Sequence, residues 1–169
     1  VEQDGESGRY KLGYKFLEIS SKLLESIDLR NEARPFLQQL ENQTNEVIHL
    51  VVFDQSEVVY IEKLEGNEVL RMHSKVGKRA PMHCTSVGKA ILAHLPLDVV
   101  SNIIDRKGLP VHTDHTIINK DDLFKELENI RDRGYALDLQ ENEYGITCIA
   151  VPIFDYTGQV VSAISISGP

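Results

Sequence analysis

The fold is decided by the stretch Gly134–Ser167, which reads GYALDLQENEYGITCIAVPIFDYTGQVVSAISIS. Its second half holds two runs rich in β-branched residues, joined by Asp155-Tyr-Thr-Gly158. An aspartate that opens such a link and a glycine that closes it predict a β-hairpin with a four-residue loop built on a type I turn. We therefore pair Phe154 with Gln159. The pairs that follow are Cys148 with Ser165, Ala150 with Ala163 and Ile146 with Ser167.

This pairing divides the side chains of the hairpin between two faces, because successive side chains of a strand point in opposite directions. The small-residue face carries Cys148, Ala150, Ala163, Ser165 and Ser167. The apolar face carries Ile149, Val151, Ile153, Val160, Ile164 and Ile166. We predict that the apolar face belongs to the core. The small-residue face leaves space for a closely packed helix or for a concavity, and the hairpin alone favours the helix.

The composition is that of an acidic chain with enough apolar residues for a core. Its 169 residues are 41% hydrophobic, which suits one domain with or without an appendage, and a formal net charge of −8 argues against a nucleic-acid clamp. No apolar run is long enough for a membrane span or a signal peptide. Cys84 and Cys148 lack metal-like spacing and stand in apolar surroundings, so we expect reduced, buried thiols in a cytoplasmic protein. The chain starts at Val1 and stops straight after a strand, which favours part of a longer protein.

Two helices are predicted near the start of the chain. After a polar lead-in, apolar residues recur every three or four positions at Leu12, Phe16, Ile19, Leu23 and Ile27. Asp28 can cap a second helix over Leu29–Thr44, in which Pro35 is expected to kink the helix or to move its start. The apolar face of this second helix carries Ala33, Phe36, Leu37 and Leu40.

Strands and helices then follow in blocks. β-Branched and aromatic runs predict strands over Val47–Phe53, Val58–Leu64 and Val69–Val76, the first of them a central strand covered on both faces. Helical patterns cover Val87–Leu95, Asp98–Arg106 and Asn119–Arg133, and the last is capped by Asn119 and ended by Gly134. With three more strands at the end, the chain is predicted to be an α+β domain. Its centre is a mainly antiparallel sheet of about six strands with helices packed on it.

Three ordered segments carry a further pattern. They are Gly134-x3-Asp138-x2-Glu141-x6-Cys148-Ile149-Ala150-x2-Ile153-Phe154-Asp155, Pro81-Met-His-Cys-Thr-Ser86-Val-Gly88-Lys89-Ala90 and Ala163-Ile-Ser165-Ile-Ser167-Gly-Pro169. Their order and spacing resemble the isocitrate lyase regulator (IclR) family of bacterial transcription factors. The resemblance covers the chain from about Asp28 onward.

The resemblance implies a GAF-like effector-binding domain over residues 28–169. A linker helix over residues 14–27 and the remnant of a winged-helix wing over residues 1–13 would precede it. DNA binding would reside in N-terminal helices that this sequence lacks, and the C-terminal helices usual in the family are missing as well. The family assembles as homodimers or homotetramers. It senses small metabolites, often keto acids, sugar-acid derivatives or aromatic acids, and needs no cofactor for this.

The resemblance also implies an effector site. Its residues would be Val69, Met72, Ala80, Ser86, Val87, Asp138, Ile146, Cys148, Ser165 and Ser167. Gly88 joins them because the start of its helix exposes backbone N–H groups, which attract anions. We expect a ligand carboxylate between the two hydroxyls of the final strand and the amides of Ser86–Gly88, with Asp138 accepting a ligand hydroxyl at the other end.

Each of these residues also has a structural interpretation. Ser86 can simply cap its helix, and Met72 can fill the core. Cys148 is expected to be an inert thiol that lines the cavity. Asp138 can be a solvated loop residue, whereas Glu141 is expected to brace the loop.

Catalysis and metal binding find little support in the spacing. Adjacent residues of an extended segment point apart, so His83 is poorly placed to activate Cys84. The six histidines show no HExxH or comparable pattern, so we expect neither catalytic residues nor a metal, and His112 and His115 are expected in solvent. The main rival to a sensor is a constitutive oligomerisation domain with a filled pocket. A small-molecule hydrolase is a more distant alternative.

Overall fold

The computed structural model of this chain describes residues 2–5, 7–25, 27–66 and 74–169. These residues form two compact units, Val1–Pro35 and Phe36–Pro169. In the first unit, strand β1 (Glu2–Gln3) pairs antiparallel with β2 (Tyr10–Lys11), and helix α1 covers Lys15–Glu25. No described side chain of α1 is buried, and Leu23 is 62% exposed. The apolar side chains expected along this helix are therefore exposed.

Helix α2 (Asp28–Thr44) starts at Asp28 and continues through Pro35, so the proline does not move its start. The prediction that one apolar face of α2 is buried is partly wrong. Leu37 is buried at 1% exposure, but its neighbour Phe36 is 70% exposed.

The second unit is built around one antiparallel sheet. Its further elements are β3 (Val47–Asp54), β4 (Glu57–Leu64), β5 (Arg79–Ala80), α3 (Ser86–Leu92), α4 (Leu97–Lys107), α5 (Lys120–Arg133), β6 (Ala136–Leu139), β7 (Thr147–Phe154) and β8 (Val160–Gly168). The strand order is β5-β4-β3-β8-β7-β6, and every neighbouring pair among the described residues is antiparallel. The predicted α+β fold is confirmed.

The strand predictions are more accurate at the centre of the sheet than at its edge. Strand β3 lies centrally and is buried over residues 47–51, as its apolar run predicts. Most of the predicted strand Val69–Val76 falls outside the described residues, and Ser74–Val76 do not form a strand. The edge strand beside β4 is instead Arg79–Ala80. Such a short edge strand offers few unpaired backbone groups to another chain.

Helix α5 shows the predicted caps at both ends. The Asn119 Oδ1 atom accepts hydrogen bonds from the backbone N–H groups of Asp121 at 2.8 Å and Asp122 at 3.4 Å. Gly134 has a φ of 82°, a left-handed conformation that favours glycine. Leu123, Leu127 and Ile130 are buried, as the helical period predicts.

The register of the β7–β8 hairpin differs from the prediction by two residues. Cys148 lies opposite Ser167 and Ala150 opposite Ser165. The hairpin closes on Asp155, whose N–H donates to the Gln159 carbonyl at 2.9 Å, and this accounts for one residue. A bulge near Ile153 accounts for the other. Because the total shift is even, the residues between the bulge and the chain end keep their predicted faces.

The burial of the hairpin agrees with the prediction on the small-residue face and contradicts it on the apolar face. Helix α3 packs against β7 and β8 and buries all members of the small-residue face, so the interpretation of a covering helix is confirmed. On the apolar face, Ile149 is 40% and Val151 45% exposed. Val160 lies beyond the bulge and packs against the core beneath α3, so its assignment to the apolar face was wrong.

Candidate functional site

A cavity of about 30 Å³ lies where the small-residue face meets the start of α3. It is lined by His49, Tyr60, Thr85, Ser86, Val87, Asp138, Asn142, Glu143, Ile146, Cys148, Ser165 and Ser167. A second cavity of about 540 Å³ shares Tyr60, Asn142 and Glu143 with it. The other residues that line this outer cavity are Ser74, Lys78, Arg79, Ala80, Pro81 and His112. The inner cavity has space for only one or two waters, whereas the outer one can hold most of a metabolite.

Most of the residues expected at the effector site come together. The inner cavity contains Ser86, Val87, Asp138, Ile146, Cys148, Ser165 and Ser167, and Ala80 lines the outer cavity. Val69 and Met72 lie outside the described residues. Gly88 lines neither cavity. A Cβ atom at Gly88 would lie 2.5 Å from the Met82 carbonyl oxygen, so this glycine permits close contact with the preceding turn.

The start of α3 is arranged differently from the expectation. Thr85 is the N-cap, and its Oγ1 atom accepts from the Gly88 N–H at 3.1 Å while donating to the Pro81 carbonyl at 2.7 Å. The Gly88 amide is therefore already engaged, and the three amides of Ser86–Gly88 do not form a free anion cradle. The helix also ends at Leu92, three residues earlier than predicted.

His49 is the main cavity residue that the sequence did not reveal. Its Nδ1 atom lies 3.4 Å from the hydroxyls of both Ser165 and Ser167, and its Nε2 atom lies 2.8 Å from the Ser74 hydroxyl. Burial, together with the charge of Lys63, lowers the pKa of His49 to about 4, so the ring is neutral at pH 7. The available signal was the pairing of β3 with β8, which places His49 opposite Ser165.

Asp138 shapes the β6–β7 loop from within the cavity. Its Oδ1 atom accepts from the N–H groups of Glu141 at 2.7 Å and Asn142 at 3.3 Å. Burial raises its pKa from 3.8 to about 6, and the nearby Glu141 carboxylate adds to this effect. Asp138 is thus a buried residue of β6 with a raised pKa, and the solvated interpretation is wrong.

Glu141 fixes the same loop to α3, in agreement with its expected bracing role. Its carboxylate forms an ion pair with Lys89, whose side chain is 1% exposed. Its backbone carbonyl accepts from the Thr116 hydroxyl at 2.6 Å, and the Thr113 hydroxyl donates to the Gln140 carbonyl at 2.6 Å. The loop that closes the cavity is therefore held by a buried charge pair and by two threonines.

Both cysteines are free and buried, as predicted. Burial raises the pKa of Cys148 to about 12, although hydrogen bonds with the hydroxyls of Ser167 and Ser86 act in the opposite direction. The thiol is protonated at neutral pH and is therefore a poor nucleophile.

The fold is an α+β domain with a buried polar cavity, and comparison with known proteins gives its family. Residues 21–169 match the family model described as "Bacterial transcriptional regulator IclR C-terminal", so the chain belongs to the IclR family. Its relatives are transcriptional regulators, and the family is not enzymatic.

Individual relatives support this assignment. The HTH-type transcriptional regulator KdgR of Dickeya chrysanthemi is 39% identical over 169 residues, which are all of this chain and 55% of that protein. The crystal structure of Thermotoga maritima IclR is 40% identical with a TM-score of 0.88, over 96% of this chain and 66% of that one. An IclR homolog complexed with 4-hydroxybenzoate, from Microbacterium hydrocarbonoxydans, is 29% identical with a TM-score of 0.84, over 98% of this chain and 68% of that one.

The chain thus spans about half to two thirds of the length of curated relatives that it matches. Among the described residues, no helix is both long and apolar enough to cross a membrane.

Proposed function

We propose that the two cavities together bind a small hydroxylated or keto carboxylate, and that this binding controls operator affinity in a longer regulator. The observation that carries the proposal is the convergence of seven expected effector residues on one buried cavity. The structure of a relative complexed with 4-hydroxybenzoate, itself a hydroxylated carboxylate, supports the ligand class.

The inner cavity offers a carboxylate two hydroxyl donors. The hydroxyls of Ser165 and Ser167 each offer a donor, and both lie beside the neutral ring of His49. No lysine or arginine lines the inner cavity in the part of the chain that the structure describes. A bound carboxylate would therefore be stabilised by hydrogen bonds alone, and such bonds to a charged group are stronger than bonds to a neutral one.

The outer cavity supplies the volume that the inner one lacks. A bound metabolite would place its carboxylate beside the serines and its body past Tyr60 and Asn142, which belong to both cavities. Asp138 lies on the inner wall and would accept a ligand hydroxyl or a hydrated carbonyl. Arg79 lines the outer cavity as well, but its guanidinium already forms ion pairs with Asp54 and Glu57, so we do not assign the ligand carboxylate to it.

A calorimetric titration with 4-hydroxybenzoate, pyruvate and a sugar acid tests the proposal. Removing one charge-assisted hydrogen bond costs about 1.5–3 kcal/mol, so Ser167→Ala is expected to weaken binding of the preferred acid roughly tenfold to a hundredfold. Equal affinity of the variant and the wild type would remove the serines from the site.

The control has to be a serine outside both cavities. Ser162 is unsuitable because it is fully buried and donates to the Val51 carbonyl at 2.6 Å. Ser101, which lies on α4 and is not among the cavity residues, is the better choice. Ser101→Ala is expected to leave the affinity unchanged.

In the whole regulator we propose that DNA is bound by a separate N-terminal domain and that α1 serves as the linker to it. The protein would act in the cytoplasm as a homodimer or homotetramer. An effector that binds one arrangement more tightly would shift the spacing of the DNA-binding domains. A tenfold change in operator affinity requires about 1.4 kcal/mol of differential binding. Operator affinity that stayed constant at every concentration of a proven ligand would contradict this mechanism.

A constitutive oligomerisation domain remains the second candidate, and the exposed apolar face of the hairpin favours it. The two functions differ in one observable. A sensor melts at a higher temperature when its ligand is present, because binding to the folded state alone raises stability. A constitutive oligomer shows no such shift with any acid, and its melting temperature depends only on its own concentration.

A further inference from the structure

A histidine, a cysteine and a second histidine lie close together, and one of them, His112, lines the outer cavity. One ligand atom each from His83, Cys84 and His112 lies within 4.8 Å of the other two. In an extended backbone the side chains of His83 and Cys84 would point apart. Residues 82–84 instead form a turn, so the two adjacent side chains can face the same point.

The surroundings of His83 are those of a metal ligand. Its Nε2 atom lies 3.0 Å from the Pro110 carbonyl oxygen, which can only accept a hydrogen bond, so Nε2 carries the proton and Nδ1 keeps a free lone pair. Metal-bound histidines commonly donate their second N–H to a carbonyl in this way, which fixes the tautomer and the orientation of the ring. His112 is exposed and its ring centre lies 6.0 Å from that of His83, so its side chain has space to rotate toward His83 and Cys84.

We propose that His83, Cys84 and His112 bind a zinc ion whose fourth position opens into the outer cavity. Two imidazoles and one thiolate are a ligand set that suits zinc and not magnesium or calcium. Bond lengths of about 2.0–2.3 Å place the ligand atoms of a tetrahedral zinc site about 3.3–3.8 Å apart, so a movement of about 1 Å closes the cluster around the ion. The thiol proton of Cys84 passes to solvent when the metal binds.

The position of this site would couple it to the effector. His112 lines the outer cavity, and Asn142, which accepts a hydrogen bond from the Cys84 Sγ atom at 3.7 Å, lines both cavities. An oxygen of a ligand in the outer cavity can take the open position on zinc. The site does not depend on the identity of the effector, because the three protein ligands are independent of it.

Titration of the metal-free protein with zinc and with cobalt tests the site. Zinc is expected to bind with one equivalent per chain, and cobalt is expected to give a thiolate-to-cobalt absorption band in the near ultraviolet. Loss of an outer-shell partner alone weakens metal binding by about 10–100-fold, so loss of a direct ligand in His112→Ala is expected to cost at least about a hundredfold. Cys84→Ala is expected to abolish the cobalt band.

The exposed His115 lies in the same loop as His112 and gives a matched control. His115→Ala is expected to bind zinc like the wild type, and magnesium is expected to bind neither protein. Zinc binding that is absent, or that is unchanged in both His112→Ala and Cys84→Ala, would overturn the proposal. Since His112 is on the surface, its variant keeps the test decisive even if Cys84→Ala fails to fold.

Discussion

On one face of the β7–β8 hairpin, alanine, serine and cysteine side chains lie buried beneath α3. On the other face, Ile149 and Val151 are 40% and 45% exposed. The difference shows that side-chain size can decide which face a helix covers. Small side chains allow α3 to approach closely, and the polar ones among them are left facing a cavity. The larger apolar side chains remain accessible on the surface of this chain.

The removal of Glu141 is the strongest test of how α3 is held over the small-residue face. This carboxylate balances the charge of Lys89, which lies on α3 and is almost fully buried. Glu141→Ala would leave that charge unpaired, and breaking such a buried pair costs about 3–5 kcal/mol. We therefore expect a loss of that size in the free energy of unfolding, measured by urea denaturation. The surface pair of Asp105 and Lys120 is the control, since Asp105→Ala is expected to cost at most about 1 kcal/mol.

The pH dependence of the free energy of unfolding tests the burial of Asp138. Because the pKa of Asp138 rises from 3.8 to about 6 on folding, the folded chain holds a proton in this range that the unfolded chain has lost. Its contribution to stability therefore falls as the pH rises from about 4 to 6. Asp138→Asn keeps an acceptor for the loop amides and removes this cost, which amounts to at most about 3 kcal/mol at pH 7.

The effect of Asp138→Asn should vanish near pH 4, where the aspartate is protonated in the folded state. His49 acts in the opposite direction, since its pKa falls from 6.5 to about 4 on folding and its contribution to stability grows as the pH rises through that range. The variant should therefore show a steeper rise in stability from pH 4 to 7 than the wild type. An equal gain at both pH values would contradict the assigned titration.

Adjacent residues of β7 allow a direct comparison of the two faces. Ala150 is 1% exposed and lies on the face under α3, whereas Val151 points to the other side. Ala150→Leu inserts bulk beneath the helix and is expected to cost about 1–3 kcal/mol in chemical denaturation. Val151→Leu is expected to change stability by less than about 0.5 kcal/mol. Similar losses for both substitutions would show that the two faces are covered alike.

The smallest expected effect on stability is at the exposed apolar face. A substitution on this face is also a test of assembly. Val151→Lys adds a charge to an accessible position and is expected to change the stability of the isolated chain by less than about 0.5 kcal/mol. If this face joins copies of the chain, the same substitution lowers the molar mass that light scattering measures at high protein concentration. An unchanged mass would place the contact between copies elsewhere.

The sequence was sufficient for the fold class, because hydrophobic periods and helix caps act locally. Asn119 and Gly134 mark the ends of α5 by their own hydrogen bonds and backbone preference. The hairpin register could not be derived, because the bulge near Ile153 and the closing pair at Asp155 each add one residue without any strong local signal.

The candidate site was only partly accessible to sequence reasoning. Ser165 and Ser167 were found because they share one face of a single strand. His49 was missed, since its place beside them depends on the pairing of β3 with β8, which are more than a hundred residues apart. The buried pair of Lys89 and Glu141 likewise joins a helix to a distant loop. Contacts of this kind depend on the tertiary structure and not on local spacing.

The central claim is that Ser165 and Ser167 on the small-residue face bind a carboxylate. A crystal structure with the tightest-binding acid of the calorimetric panel tests this claim most directly. We expect a carboxylate oxygen within about 2.5–3.0 Å of the Ser165 or Ser167 hydroxyl, with the rest of the ligand extending past Tyr60 into the outer cavity. A ligand bound with its carboxylate at Arg79, and with the two serines left in contact with His49 alone, would contradict the account.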